Sequence, residues 1–282
     1  MAINNFVSEV WAAQLQQSFL KGTKFASPAV VNRQYEGEIA NAGDTVHITS
    51  IGRPSIATYT KDSTSITFEN LTDAQRNLVV DQCKYFAFEV DDVDKRQAVN
   101  GGALMAEAAR EAGAALGEDT DEYIRGIIGS DTDAGNIVGA TGITTSLLAV
   151  ARLVAHKHFL DVTNTPIDGR YTICPSWFNS LLMLDTRYVE HDALSGGTAL
   201  ETGVVGRMLG FNIVQANYAL TTGDDWRVYS GHPSAITFAD QIDKVEALRP
   251  ESAFSDALKG LHLYGAKVTR PSSLCYTLCS VT

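Results

Sequence analysis

Three glycines at irregular spacing, Gly203, Gly206 and Gly210, run directly into an alternating apolar stretch, Phe211, Ile213 and Val214. A glycine-rich loop beside a strand is one way to hold a phosphate, because bare backbone N–H groups can close on the anion. The dinucleotide fingerprint requires G-x-G-x-x-G after a strand and before a helix. Here the spacing is G-x-x-G-x-x-x-G and the glycines precede the strand. No G-x-x-x-x-G-K pattern occurs either. These glycines read as turn residues that open a buried strand.

The other reactive residue types fare no better as chemistry. The acidic stretch SDTDAGN resembles a calcium loop, but counting from Asp131 the sixth residue is Asn136 and the twelfth is Gly142. The motif requires glycine and glutamate at those places, so the stretch reads as a solvated turn. Asp91, Asp92 and Asp94 stand where a helical pattern begins, and the helix macrodipole favours acids there without any metal. His156 and His158 are two apart on a predicted helix, so they point to different faces and cannot share a metal. His47, His191, His232 and His262 are scattered singly, and neither H-E-x-x-H nor G-x-S-x-G occurs. Cys275 and Cys279 share one face of a predicted strand, and with Cys83 and Cys174 they give no zinc spacing. They read as buried apolar thiols. The sequence therefore assigns no catalytic, cofactor-binding or metal-binding residue, although a site assembled from distant residues would leave no motif.

The elements that would position such groups are legible. The chain has 282 residues, 45% hydrophobic and 20% charged, enough for a substantial core. Its formal net charge is −11 and its longest basic cluster is Lys95–Arg96, which argues against reading nucleic acid through its phosphates. The N-terminal stretch lacks a basic segment followed by an apolar one, and no apolar run approaches the ~20 residues of a membrane span. With no framework spacing among four cysteines, a soluble protein made in a reducing cytoplasm is expected. Phe6, Val10, Trp11, Leu15 and Phe19 have helical spacing, followed by an extended polar arm. Thr45–Thr49 and Ser65–Phe68 alternate with period two and predict a long hairpin with a polar tip. Such a hairpin has too little apolar surface to support itself. One strand is predicted from Leu78 through Val90, with Leu78, Val80, Phe86, Phe88 and Val90 on one face. A long Ala/Gly-rich helix is predicted over 94–129, spanning ~54 Å, with Gly101 and Gly102 as the place for a kink. A second helix over 144–160 shows Leu147, Leu148, Ala151, Val154, His158 and Phe159 as its face. A strand ending at Pro175, a short helix capped by Ser176, and further strands in 227–240 and the tail complete the pattern. Mixed helices and strands without regular alternation predict an α+β fold.

A detached arm, a long polar hairpin and an Ala/Gly-rich spine make poor sense in a monomer. Their order resembles the major capsid proteins of tailed bacteriophages with the Hong Kong 97-type fold. GDTVHI (43–48) resembles the entry to that family's extended E-loop, and FEVDDVDKRQ (88–97) the lead into its spine helix. GRYTICPSWFNSLL (169–182) and ETGVVGRMLGFNIVQAN (201–217) resemble its axial domain, and LYGAKVTRPSSL (263–274) its closing strands. The resemblance implies an N-terminal arm at 1–36, an E-loop at 37–77, and a peripheral domain with spine helix at 78–130. It further implies an axial domain at 131–240 and a return to the peripheral domain at 241–282. By the same resemblance the chain is a coat protein that assembles with itself through hexamers and pentamers into an icosahedral head, built in the bacterial cytoplasm and resident in the virion. Its implied partners are a separate scaffolding protein, a portal and a decoration protein, with double-stranded DNA enclosed without sequence-specific binding and no membrane. Arg53, Tyr59, Lys61 and Asp62 of the E-loop, and Phe6, Trp11 and Leu15 of the arm, would touch neighbouring subunits. Gly37, Gly43, Gly52, Gly203, Gly206 and Gly210 would serve as hinges or turns. Some relatives cross-link through an E-loop lysine. Lys61 is the candidate here, but a solvated lysine or an intersubunit salt bridge explains it as well.

Two rival readings stay open at this level. One keeps the fold and makes the shell an encapsulin-like container for cargo protein. The other is a cytosolic α+β enzyme with a dispersed active site, which predicts a small oligomer and a ligand-dependent rise in melting temperature.

Overall fold

The computed structural model describes residues 23–34, 45–51, 55–61, 68, 73–92, 104–185, 206–217, 226–251 and 254–280. Its strands form a hairpin and two larger sheets. The hairpin pairs β1 (Thr45–Ile51) with β2 (Asp73–Val79), from Thr45↔Val79 to Ile51↔Asp73. The return strand is thus DAQRNLV rather than the expected Ser65–Phe68. Ser65–Thr67 lie outside the described residues, and Phe68 is exposed.

The strand expected over 78–90 is two strands in two sheets. β2 ends at Val79, and β3 (Gln82–Asp91) starts a new pairing. The cause is distant in sequence. β10 (Ser255–Val268) carries Gly265, whose missing Cβ would collide with the Val79 carbonyl oxygen and stand 2.9 Å from Val80 Cα. The chain bends over that glycine, and Leu78 and Val80 are buried beside Ala239 and Leu263. β3 pairs antiparallel with β10, and β10 with β9 (Ile236–Leu248), to make the three-stranded sheet. β9 runs through the expected domain boundary at residue 240.

Helix α1 (Leu104–Asp131) has 28 residues and spans ~42 Å. The first part of the predicted helix, with the kink site at Gly101–Gly102, lies outside the described residues. Gly113 and Gly117 are buried in α1, where small residues allow close approach. Its first turns set Met105 and Ala109 against Leu258, Phe86, Phe88 and Val90 of the three-stranded sheet. Its last turns set Ile124 and Ile128 into the main core, where both sheets meet.

The six-stranded sheet has the order β4 (Ile137–Gly142), β11 (Leu274–Ser280), β8 (Trp226–Gly231), β5 (Tyr171–Cys174), β7 (Phe211–Gln215), β6 (Arg207–Met208). β11 lies between β4 and β8. Within residues 241–282, β10 belongs to the three-stranded sheet and β11 to the six-stranded one. Alternation along the strands gives the six-stranded sheet two buried faces. Tyr171, Ile173, Tyr229, Leu274 and Tyr276 face α1 and the segment around Phe25 and Val30. Cys174, Val228 and Cys279 face α2 (Ser146–Val162) and α3 (Ser176–Met183).

Helix α2 starts where expected, with the Thr145 hydroxyl accepting from the Leu148 N–H at 3.4 Å. Its buried face is Ala149, Val150, Leu153, His156 and Leu160. That corrects the predicted face, most of which is exposed: Leu147, Ala151, Val154 and His158 point outward. Both faces are apolar, so periodicity alone could not choose between them. Ser176 is the first residue of α3 rather than its cap. Asn217 Oδ1, 41 positions along the chain, accepts the Ser176 N–H at 3.0 Å.

Candidate assembly surfaces

The described residues contain no grouping of three His, Cys, Asp or Glu able to hold a metal. In SDTDAGN, Ser130 and Asp131 end α1, and Ala134–Asn136 form a 3-10 turn capped by Asp133, which accepts from the Gly135 N–H at 3.1 Å. Of the acidic cluster, Asp92 pairs with Arg249, and Asp94 lies outside the described residues. Cys174, Cys275 and Cys279 are buried. Burial pushes the Cys174 thiol up to about 12 and Cys275 higher still, so neither is a nucleophile at neutral pH.

His156 is the most enclosed titratable group on α2. Its ring meets hydroxyls on two adjacent strands, and one of these hydroxyls is joined to a third on the next strand. Nδ1 lies 2.8 Å from the Ser230 hydroxyl on β8, and Nε2 lies 2.6 Å from the Thr277 hydroxyl on β11. The Thr172 hydroxyl on β5 is 2.8 Å from that of Ser230. Hydroxyls both donate and accept, so either neutral tautomer is satisfied. Burial, with Arg152 adding a repulsive charge, pushes the imidazole down to about 4. The group is a neutral structural pin between helix and sheet.

A second pin holds the segment entering the core. The backbone N–H groups of Lys24, Phe25 and Ala26 donate to the Asp121 carboxylate at 2.6, 2.9 and 3.0 Å. Three consecutive N–H groups form a concavity suited to an anion. Burial raises the carboxyl above its ordinary range, and these three donors partly offset the rise. Asn32 then bridges to Thr237, and Arg33 pairs with Asp240. Nothing in the sequence sets Asp121 apart from the acids around it.

Of the residues expected to touch neighbours, Phe6, Trp11, Leu15, Arg53 and Asp62 lie outside the described residues. Tyr59 is 66% exposed, Lys61 is exposed, and Phe68 is 97% exposed. Ile56 is exposed in the same loop. The loop between β1 and β2 thus holds out three large apolar side chains. Its base is fixed by Gly265 and by Arg76, whose Nη1 donates to the Val268 carbonyl at 3.0 Å.

Of the expected hinge and turn glycines, Gly37, Gly43, Gly52 and Gly203 lie outside the described residues. Leu209 and Gly210, at φ 52° and 89°, form the two-residue turn between β6 and β7. Positive φ at both positions matches the twist of a tight hairpin. Gly206 precedes β6, is exposed, and its carbonyl accepts the Ile213 N–H at 3.1 Å.

A family model described as "Phage capsid protein" matches residues 79–277. A solved structure from Mycobacterium phage Che8 is 28% identical, with 90% of each chain covered and a TM-score of 0.72. The capsid structure of cyanophage P-SCSP1u is 18% identical, covering 92% of this chain and 89% of that one, with a TM-score of 0.68. The mature capsid of bacteriophage PhiM1 is 17% identical, covering 84% and 82%, with a TM-score of 0.64. A comparison with curated proteins returned no match. The hairpin, the long helix and the two sheets are therefore the parts of a known shell-forming architecture: the chain belongs to the phage capsid protein family and is a structural protein of a tailed-phage head, with the Hong Kong 97-type fold.

Proposed function

We propose that the chain assembles with itself, through pentamers and hexamers, into an icosahedral head that encloses double-stranded DNA. The observation that carries this reading is the loop between β1 and β2. Ile56, Tyr59 and Phe68 stand in solvent on a hairpin that has no core of its own. A neighbouring subunit is the surface that would cover them, with Arg53, Tyr59, Lys61 and Asp62 as contact residues. The arm residues Phe6, Trp11 and Leu15 would pack in the same way. In this reading 1–36 is the arm, 37–77 the E-loop and 78–130 the peripheral part with the spine. The axial part is 131–240, and 241–282 supplies the closing strands. The Leu209–Gly210 turn shapes the axial edge.

The net charge of −11 supports enclosing DNA without gripping it. The protein works as architecture rather than as an enzyme. Separate scaffolding, portal and decoration proteins complete the assembly, which takes place in the host cytoplasm. Electron microscopy of the recombinant protein, expressed with and without its neighbouring genes, tests the proposal. Closed polyhedral particles or five- and six-membered rings are expected. Cargo protein inside those particles would favour a cellular container, and a uniform small oligomer under both conditions would overturn the shell.

A further inference from the structure

The junction between the end of α1 and the start of β8 gathers more positive charge than it pairs. Arg125 and Gly129 lie one turn apart on the same face of α1. Arg227, on β8, reaches across that face: a Cβ on Gly129 would collide with its Nη1. Its guanidinium lies over the Tyr276 ring, 5.2 Å from the centroid. Arg227 makes no ion pair among the described residues. The Arg125 side chain is only 7% exposed, and its Nη2 donates to Glu122 at 3.1 Å. That carboxylate points outward, with its side chain 69% exposed. Tyr229, two positions beyond Arg227, brings its hydroxyl to the same place. Burial raises the phenol above its ordinary range, and the charges of Arg227 and Arg125 work against the rise. Arg125 Nε, Arg227 Nε and the Tyr229 hydroxyl are all buried and have no hydrogen-bond partner within the chain. Buried donors beside two neighbouring cations are costly unless a negatively charged acceptor meets them.

We propose that Arg125, Arg227 and Tyr229 form a binding site for a small oxyanion of the phosphate class. The inference concerns the single folded subunit and does not depend on assembly. Two planar guanidinium forks and a phenol supply the N–H and O–H donors that such an anion accepts. They come from a helix and a strand, which suits oxygens on several sides of an ion better than the flat edge of a carboxylate. Depth selects a free ion. Tyr229 is 1% exposed, out of reach of a phosphate fixed in a nucleic-acid backbone. Once bound, the ion ties the end of α1 to the six-stranded sheet. Phe25 stands edge-on to Tyr229 at 5.5 Å, so the segment that enters the core is steadied at the same junction.

The test is thermal unfolding of the unassembled full chain at neutral pH, in sodium phosphate and in sodium chloride of equal ionic strength. Wild type is expected to show a saturable rise in melting temperature in phosphate beyond that in chloride. Arg227→Gln is expected to weaken the phosphate affinity roughly tenfold or more. Arg110→Gln, an exposed site near the start of α1, is the control that keeps it. Glu122→Gln removes the competing carboxylate and is expected to tighten phosphate several-fold. A rise shared equally by wild type and Arg227→Gln would be a general effect of an excluded salt and would overturn the site. A wild type that responds alike to phosphate and chloride would overturn it too. Should Arg227→Gln fail to fold, the surface change Glu122→Gln decides, and an affinity no tighter than wild type would overturn the proposal. The readout is the unassembled chain, so a failure to form shells leaves this result standing.

Discussion

Acidifying the unassembled subunit from neutral pH should weaken it through His156. In the folded chain the imidazole is pushed down from 6.5 to about 4 by burial and by Arg152. At pH above 6.5 the ring is neutral in both folded and unfolded chains and adds no pH dependence. As pH falls below 6.5 the unfolded chain takes up the proton first, so stability declines until the folded ring protonates near 4. The gap between those values corresponds to about 3 kcal/mol, at about 1.4 kcal/mol per pH unit. That is a large share of the ~5–15 kcal/mol that holds a domain together. The assay is urea unfolding at a series of pH values for wild type and His156→Gln. Glutamine keeps a donor and an acceptor for Ser230 and Thr277 but does not titrate. The difference between the two proteins removes the titration of every other group, including Asp121. Asp121 acts in the opposite sense: its raised folded value makes its contribution grow as pH falls. The difference should change by about 3 kcal/mol between neutral pH and about pH 4. A difference that stays flat within about 0.5 kcal/mol would refute a neutral, buried ring.

Asp121→Ala leaves the N–H groups of Lys24, Phe25 and Ala26 without their acceptor. Denaturant unfolding should show a loss of about 3 kcal/mol, and limited proteolysis should cut near residues 23–34 sooner, with Asp121→Asn intermediate. Gly265→Ala drives a methyl group into the Val79 carbonyl and Val80 backbone, whereas Gly260→Ala meets only the half-exposed Phe86 ring. The first should cost about 2–3 kcal/mol in thermal unfolding, and the second well under half of that, because a side chain can swing aside and a backbone cannot.

The sequence carried the local part of this structure. Period-two alternation placed β1, β7 and β11, the stop at Pro175 placed β5, and helical spacing placed α2 within two residues at each end. Cys275 and Cys279 fall on one buried face, as their spacing required. What escaped was set by distant partners. The apolar pattern from Leu78 to Val90 is continuous, and the break within it depends on Gly265 in another strand. The buried face of α2 is chosen by the sheet beneath it. The cap of α3 comes from Asn217, and Asp121 looks like any other acid until Phe25 lies against it. The candidate surfaces were legible as spacing, but which apolar residues stay uncovered became visible only with the fold.

The strand order of the six-stranded sheet also governs when a subunit becomes available. β11 lies between β4 and β8, and Asn136, just before β4, is fastened to the Leu274 carbonyl 138 positions away. During synthesis β4 has no neighbour until that distant stretch has been made. Pairings of such long range are slow to form. The six-stranded sheet of each new chain therefore stays incomplete until its last strand has been made and paired.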